Sequence, residues 1–165
     1  GQERKDHHIL KGYNYRMDGI QGAILRVKLR YLEGWTEARR AHAARYTELL
    51  DGSGVRLPAS DAAGRHVYHC YVVRYGMRDE LLAALHERQI FAGIHYPIPV
   101  HLQEAYADLG YGPGDFPHAE AAAAEVLSLP LYPEMTAAQI ETVCQAVRET
   151  VDNSAAASVG ARSGR

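Results

Sequence analysis

The chain has 165 residues, 47% of them hydrophobic and 23% charged, with a formal net charge of -2. That length suffices for one modest domain with a core, and the charge excludes a global field drawing the protein to nucleic acid or an anionic membrane. No apolar run approaches the ~18 residues of a membrane span, and Cys70 and Cys144 form no C-x-x-C pair, which favours a reducing, cytoplasmic setting while leaving one disulfide open.

The opening "GQERKDHH" is polar and reads as unstructured, with no signal peptide. It starts at Gly1 rather than Met, which suggests a piece of something longer. Asp18 to about Leu50 carries the strongest helical signal. Ile20, Ile24, Val27, Tyr31, Trp35, Ala38, His42, Tyr46 and Leu49 recur at three- and four-residue steps. Asp18 and Gln21 have capping-box spacing. At 1.5 Å per residue such a helix is roughly 50 Å long, more than a small domain covers alone. Gly34 is a candidate bend, and "DGSG" at Asp51–Gly54 ends the helix.

The valine and tyrosine content of "HVYHCYVVRY" (His66–Tyr75) predicts a strand. "RDELLAALHERQI" predicts a helix, and "FAGIHYP" (Phe91–Pro97) a second short strand, giving a compact α/β unit. The prolines and glycines between Pro97 and Pro117 permit no long regular element. "HAEAAAAEVLSL" reads as a helix leading to a short extended piece, "LPLYPEM". Thr136 and Gln139 cap a last helix to about Val151, and residues 153–165 read as a disordered tail.

Chemistry can concentrate in two places. "GYNYRMDGIQGA" (Gly12–Ala23) sets Asn14 and Arg16 at the mouth of a helix, where free N–H groups and the helix dipole favour an anion such as phosphate. The structural alternative has Asn14 in a turn, Arg16 paired with an acid and the tyrosines packed. "GIHYPIPVHLQ" holds His95, Tyr96 and His101 in a proline-stiffened loop after a strand, suited either to a ligand or to backbone hydrogen bonds. None of the nine histidines has a cysteine or carboxylate partner at a recognised metal-ligand spacing, so no metal is expected. The basic run from Arg26 to Arg45 has acids interleaved and reads as the solvated side of an amphipathic helix, not a nucleic-acid stripe. Ser128 in "LSLP" lacks the glycine flanks of a nucleophile elbow.

Taken in order, "GYNYRMDGIQGAIL", "HVYHCYVVR", "RDELLAALHERQIFAGIHYPIPVHLQEAY" and "FPHAEAAAAEVLSLPLYPEM" resemble the C-terminal part of the DegT/DnrJ/StrS sugar aminotransferases, from Gly1 to about Val151. The resemblance implies an α/β (α+β) fold of pyridoxal-phosphate fold type I. A cofactor-phosphate loop remnant would span 1–17, a long linking helix 18–52, and a small C-terminal domain 53–152 with a short antiparallel sheet packed by helices. It implies a homodimer with active sites at the subunit interface, an amino-acid donor, usually glutamate, and a nucleotide-linked keto-sugar acceptor. The family's G-x-N-x-R segment matches Gly12, Asn14 and Arg16, so Asn14 is expected to reach a neighbouring subunit's cofactor phosphate, with Arg16 bracing the loop or adding charge. Tyr13, His95, Tyr96 and His101 are expected against the substrate. The family's Schiff-base lysine lies upstream in a motif that this chain lacks, and Lys5, Lys11 and Lys28 do not occupy its place. The expectation is therefore a fragment that does not transaminate alone. A non-catalytic relic or interaction module of the same fold is the alternative.

Overall fold

Two short pieces, Gln2–Arg4 (β1) and His7–His8 (β2), pair antiparallel around Asp6, which takes a positive φ of 61°. A hairpin thus replaces the unstructured start expected there, because an aspartate tolerates the left-handed turn position. The computed structural model of the protein describes residues 1–13, 15–59 and 64–163.

The long helix is two helices. Gly19–Lys28 (α1) begins where Asp18 donates its N–H to the Gln21 side-chain carbonyl at 2.9 Å, and Leu32–Leu50 (α2) follows. Between them the hydrogen bonds tighten to three-residue steps, with Tyr31 N–H donating to the Lys28 carbonyl at 3.0 Å. The break lies at 29–31, not at Gly34. Tighter steps rotate the two apolar faces out of register. α1 buries no residue, whereas α2 buries Thr36, Ala43, Tyr46 and Leu50. The end at "DGSG" is as read, with Gly52 and Gly54 both at positive φ.

The sheet is shorter than its sequence signals. Of the strand expected over His66–Tyr75, only Tyr71–Arg74 (β3) is regular. Its partner is Val126–Leu129 (β4), antiparallel, with Tyr71 opposite Leu129 and Arg74 opposite Val126. The helix read through "EVLSL" stops earlier, as Pro117–Glu125 (α4), and the extended piece is "VLSL" rather than "LPLYPEM". Arg56 bridges the outer edge of β3 at Arg74, and Gly93 bridges the outer edge of β4 at Ser128. Gly93 is what survives of the second strand expected over Phe91–Pro97. Four rows result, with β4 an inner one whose Leu127, Ser128 and Leu129 are all buried.

Arg78–Glu87 (α3) and Ala137–Ser163 (α5) close the core. α5 packs on both α2 and α3, and Tyr46, Tyr71, Leu81, Leu85, Leu127, Ile140 and Val147 are fully buried between them. Its start is the expected capping pair. Thr136 N–H donates to the Gln139 side-chain Oε1 at 2.9 Å, and Gln139 N–H donates back to the Thr136 hydroxyl at 3.2 Å. α5 continues past Val151 to Ser163, over residues expected to form a disordered tail, because the alanines at 155–157 favour helix. Arg148 donates to the carbonyls of Leu49 and Asp51, at 2.7 and 2.6 Å, and so satisfies the otherwise free end of α2.

Candidate functional site

The loop after α3 is held by the sheet. Ile90 and Ala92 are buried, and Gly93 exchanges two backbone hydrogen bonds with Ser128, of 3.0 and 2.7 Å. His95 follows directly, with its Nδ1 2.9 Å from the Ser128 hydroxyl. The Tyr96 ring meets the His95 ring edge-on at 5.5 Å and is 62% exposed. Pro99 then starts a 3-10 turn, Val100–Leu102, that turns His101 inward. The His101 side chain is nearly buried, meets the Phe116 ring at a tilt of 56° with centroids 4.7 Å apart, and sets Nε2 3.1 Å from Glu120 Oε1. Glu120 also accepts the N–H groups of Gly114 at 2.9 Å and Phe116 at 3.2 Å. Those bonds, the Gly114 N–H foremost, hold the Glu120 carboxyl below its usual range. His95 is thus anchored to β4 and His101 to α4. His101 is engaged structurally, while Tyr96 remains free to meet a ligand.

The N-terminal hairpin docks on the next 3-10 segment, Glu104–Leu109, and on the residue before it. His8 N–H donates to Gln103 Oε1 at 3.1 Å, Gln103 Nε2 donates to the Asp6 carbonyl at 3.0 Å, and Lys11 Nζ lies 2.8 Å from an Asp108 carboxylate oxygen. Lys11 also lies over the Tyr106 ring and holds the Asp108 carboxyl below its usual range. Between these segments opens a cavity of about 470 Å³, lined by Gln2, His8, Lys11 and Gly12 on one side and by Tyr96, Val100, Gln103 and Tyr106 on the other.

The two motifs singled out in the sequence therefore meet at Gly12 and Tyr96. The other described residues of the first motif are not among those lining that cavity. Tyr13 and Tyr15 are 83% and 87% exposed and stack on each other at 5.4 Å. Arg16 is exposed and pairs with Asp18 at 2.9 Å. Asn14 lies outside the described residues. Sequence reasoning missed Lys11, Gln103, Glu120 and Ser128 as organising residues. Glu120 had a local signal, an acid in the first turn of a helix that starts at Pro117; the other three had none, since their partners are distant in sequence. Among the described residues no three His, Cys, Asp or Glu side chains converge as a metal site. Burial pushes the Cys144 thiol up to about 11, which disfavours the thiolate form at neutral pH.

The sequence profile of the DegT/DnrJ/EryC1/StrS aminotransferase family matches residues 1–148. A pleiotropic regulatory protein of Geobacillus stearothermophilus is 45% identical over 152 residues, covering 90% of this chain and 41% of that protein. A dTDP-3-amino-3,4,6-trideoxy-alpha-D-glucose transaminase of Streptomyces venezuelae is 42% identical over 150 residues, covering 90% of this chain and 40% of the relative. The crystal structure of S. venezuelae DesV in complex with a ketimine intermediate superposes with a TM-score of 0.79 at 41% identity, over 92% of this chain and 41% of that one. The chain thus spans about 40% of the length of the relatives it matches.

Proposed function

Because the chain belongs to the DegT/DnrJ/EryC1/StrS aminotransferase family, we propose that it is the carboxy-terminal part of a pyridoxal-phosphate-dependent enzyme that moves an amino group from glutamate to a nucleotide-linked keto sugar. The observation that carries this reading is the cavity shared by Gly12 and Tyr96, two motif residues far apart in the chain. The transaminase named among its relatives supports a sugar nucleotide as the acceptor.

The side chains present fit only one end of the cofactor. Arg16 is solvent-facing beside the capped N-terminus of α1, where it pairs with Asp18, and its guanidinium is a donor suited to a phosphate reached from outside this chain. Lys11 is occupied by Asp108, and Lys28 lies over the Trp35 ring at 5.6 Å. When bound, pyridoxal phosphate supplies the electrophilic carbon and the electron-accepting ring for amino transfer. This chain's residues supply binding and orientation. Arg16, with Asn14, contributes charge and hydrogen bonds to a phosphate held by a neighbouring subunit of a homodimer. Tyr96 offers its hydroxyl and ring to the sugar nucleotide, with His95 beside it, while His101 keeps the loop in place. The exposed apolar residues of α1 face the rest of the enzyme. The free thiols of Cys70 and Cys144 fit a reducing compartment, the cytoplasm.

Titration of the chain with thymidine or uridine diphosphate-glucose, followed by 1H–15N NMR, tests the substrate part. Shifts centred on Gly12, Tyr96 and Gln103, lost in Tyr96→Ala, are expected. Shifts scattered over α2 and α5 would count against it.

A further inference from the structure

Ser128 and Gly93 together form a seat for the His95 ring. Strand β4 fixes Ser128 in the buried centre of the sheet, and the paired backbone bonds to Gly93 lock the root of the His95 loop against it. A Cβ at Gly93 would stand 3.2 Å from His95 Cε1, so the ring lies directly over the glycine, closer than most side chains permit. Ser128 Oγ then meets Nδ1 at 2.9 Å, and among the described residues the other ring nitrogen has no partner.

The direction of that hydrogen bond follows from burial. Ser128 is 6% exposed, and Nδ1 of His95 is the partner of its hydroxyl. If Nδ1 carried the proton, the hydroxyl would accept it and its own O–H would be left buried without an acceptor, a costly arrangement. If the hydroxyl donates, its proton is satisfied and Nδ1 is the bare nitrogen. The imidazole proton then sits on Nε2, and the second nitrogen's role is set by the bond the first one makes.

We propose that Ser128 is a positioning residue: its hydroxyl donates to His95 Nδ1, fixing the Nε2–H tautomer and presenting that N–H as a hydrogen-bond donor to an oxygen acceptor. That the acceptor belongs to the sugar nucleotide rests on the function proposed above. The tautomer itself does not, and it is read without cofactor or substrate.

Long-range 1H–15N correlation spectra of the chain in mildly alkaline solution report which ring nitrogen carries the proton. In the unmodified chain His95 is expected to show a single Nε2–H pattern. Ser128→Ala, a small truncation with little effect on folding, is expected to turn this into a fast-exchanging tautomer mixture. Ser128→Thr, which keeps the hydroxyl, is expected to restore the single pattern. A proton on Nδ1 in the unmodified chain, or His95 signals unchanged by Ser128→Ala, would overturn the assignment, whatever the outcome of the nucleotide titration.

Discussion

Glu120 gathers three segments with one carboxylate, since it accepts from His101, Gly114 and Phe116. Its pKa is lowered from 4.5, first by the Gly114 N–H, so the folded state favours the ionised form. The stabilisation it contributes is complete above 4.5, its value in the unfolded chain, and fades as pH falls through the lower folded value. Glu120→Gln is therefore expected to be less stable than the unmodified chain at neutral pH, with the gap closing on acidification below 4.5. Urea unfolding across that range measures it, and a gap independent of pH would refute the carboxylate's role. Arg78 does comparable work inside the fold. It is 7% exposed and donates to the Ala123 and Val126 carbonyls at 3.2 and 3.1 Å, where α4 becomes β4. Arg78→Met keeps the apolar stem and leaves both carbonyls unpaired. The expected cost is about 2–3 kcal/mol, seen as a fall in Tm of roughly 5–10 °C for a chain of this size.

At the scale of elements, α1 and α2 differ in what holds them. In α1, Ile20 is 78% exposed, and Ile24, Leu25 and Val27 are each more than half exposed. An apolar face of that kind drives association. Replacing Ile24 and Leu25 together with Glu is expected to leave unfolding within about 0.5 kcal/mol, because no packing is lost. The same change should remove concentration-dependent self-association in sedimentation velocity; an unmodified chain that stays monomeric at every concentration would contradict this. The three- and four-residue periodicity across Asp18–Leu50 made both helices legible, as did the capping pairs Asp18–Gln21 and Thr136–Gln139. The break at 29–31 was not legible, because no proline or glycine marks it and only hydrogen-bond spacing changes. β4 was hidden for another reason. "VLSL" continues a helical apolar pattern, and only its pairing with β3 makes it extended.

For the molecule as a whole, the His95–His101 loop was readable from its prolines and histidines. Its supports were not, because Ser128, Glu120 and Gln103 come from other parts of the chain. The same separation governs chemistry. With Lys11 in an ion pair, Lys28 over an indole and Lys5 in the exposed turn of the N-terminal hairpin, the purified chain mixed with pyridoxal phosphate is expected to retain no cofactor absorbance after desalting. A stable visible band would overturn the view that its three lysines do not hold the cofactor.

The order of the sheet rows also bears on how the chain acquires its shape. β4 lies between β3 and Gly93, yet it is the last of the four rows in sequence. Pairing Tyr71 with Leu129 closes a long loop before any β3–β4 hydrogen bond repays it, which slows folding. On the ribosome, β3, with only Arg56 beside it, and the His95 loop emerge first, and their β4-facing edges wait unpaired until Val126–Leu129 arrives. α5, which packs on α2 and α3, follows β4 in the chain, so the helical layer also closes late, and the ligand-facing loop takes its final form after an interval in which exposed strand edges invite pairing with other chains.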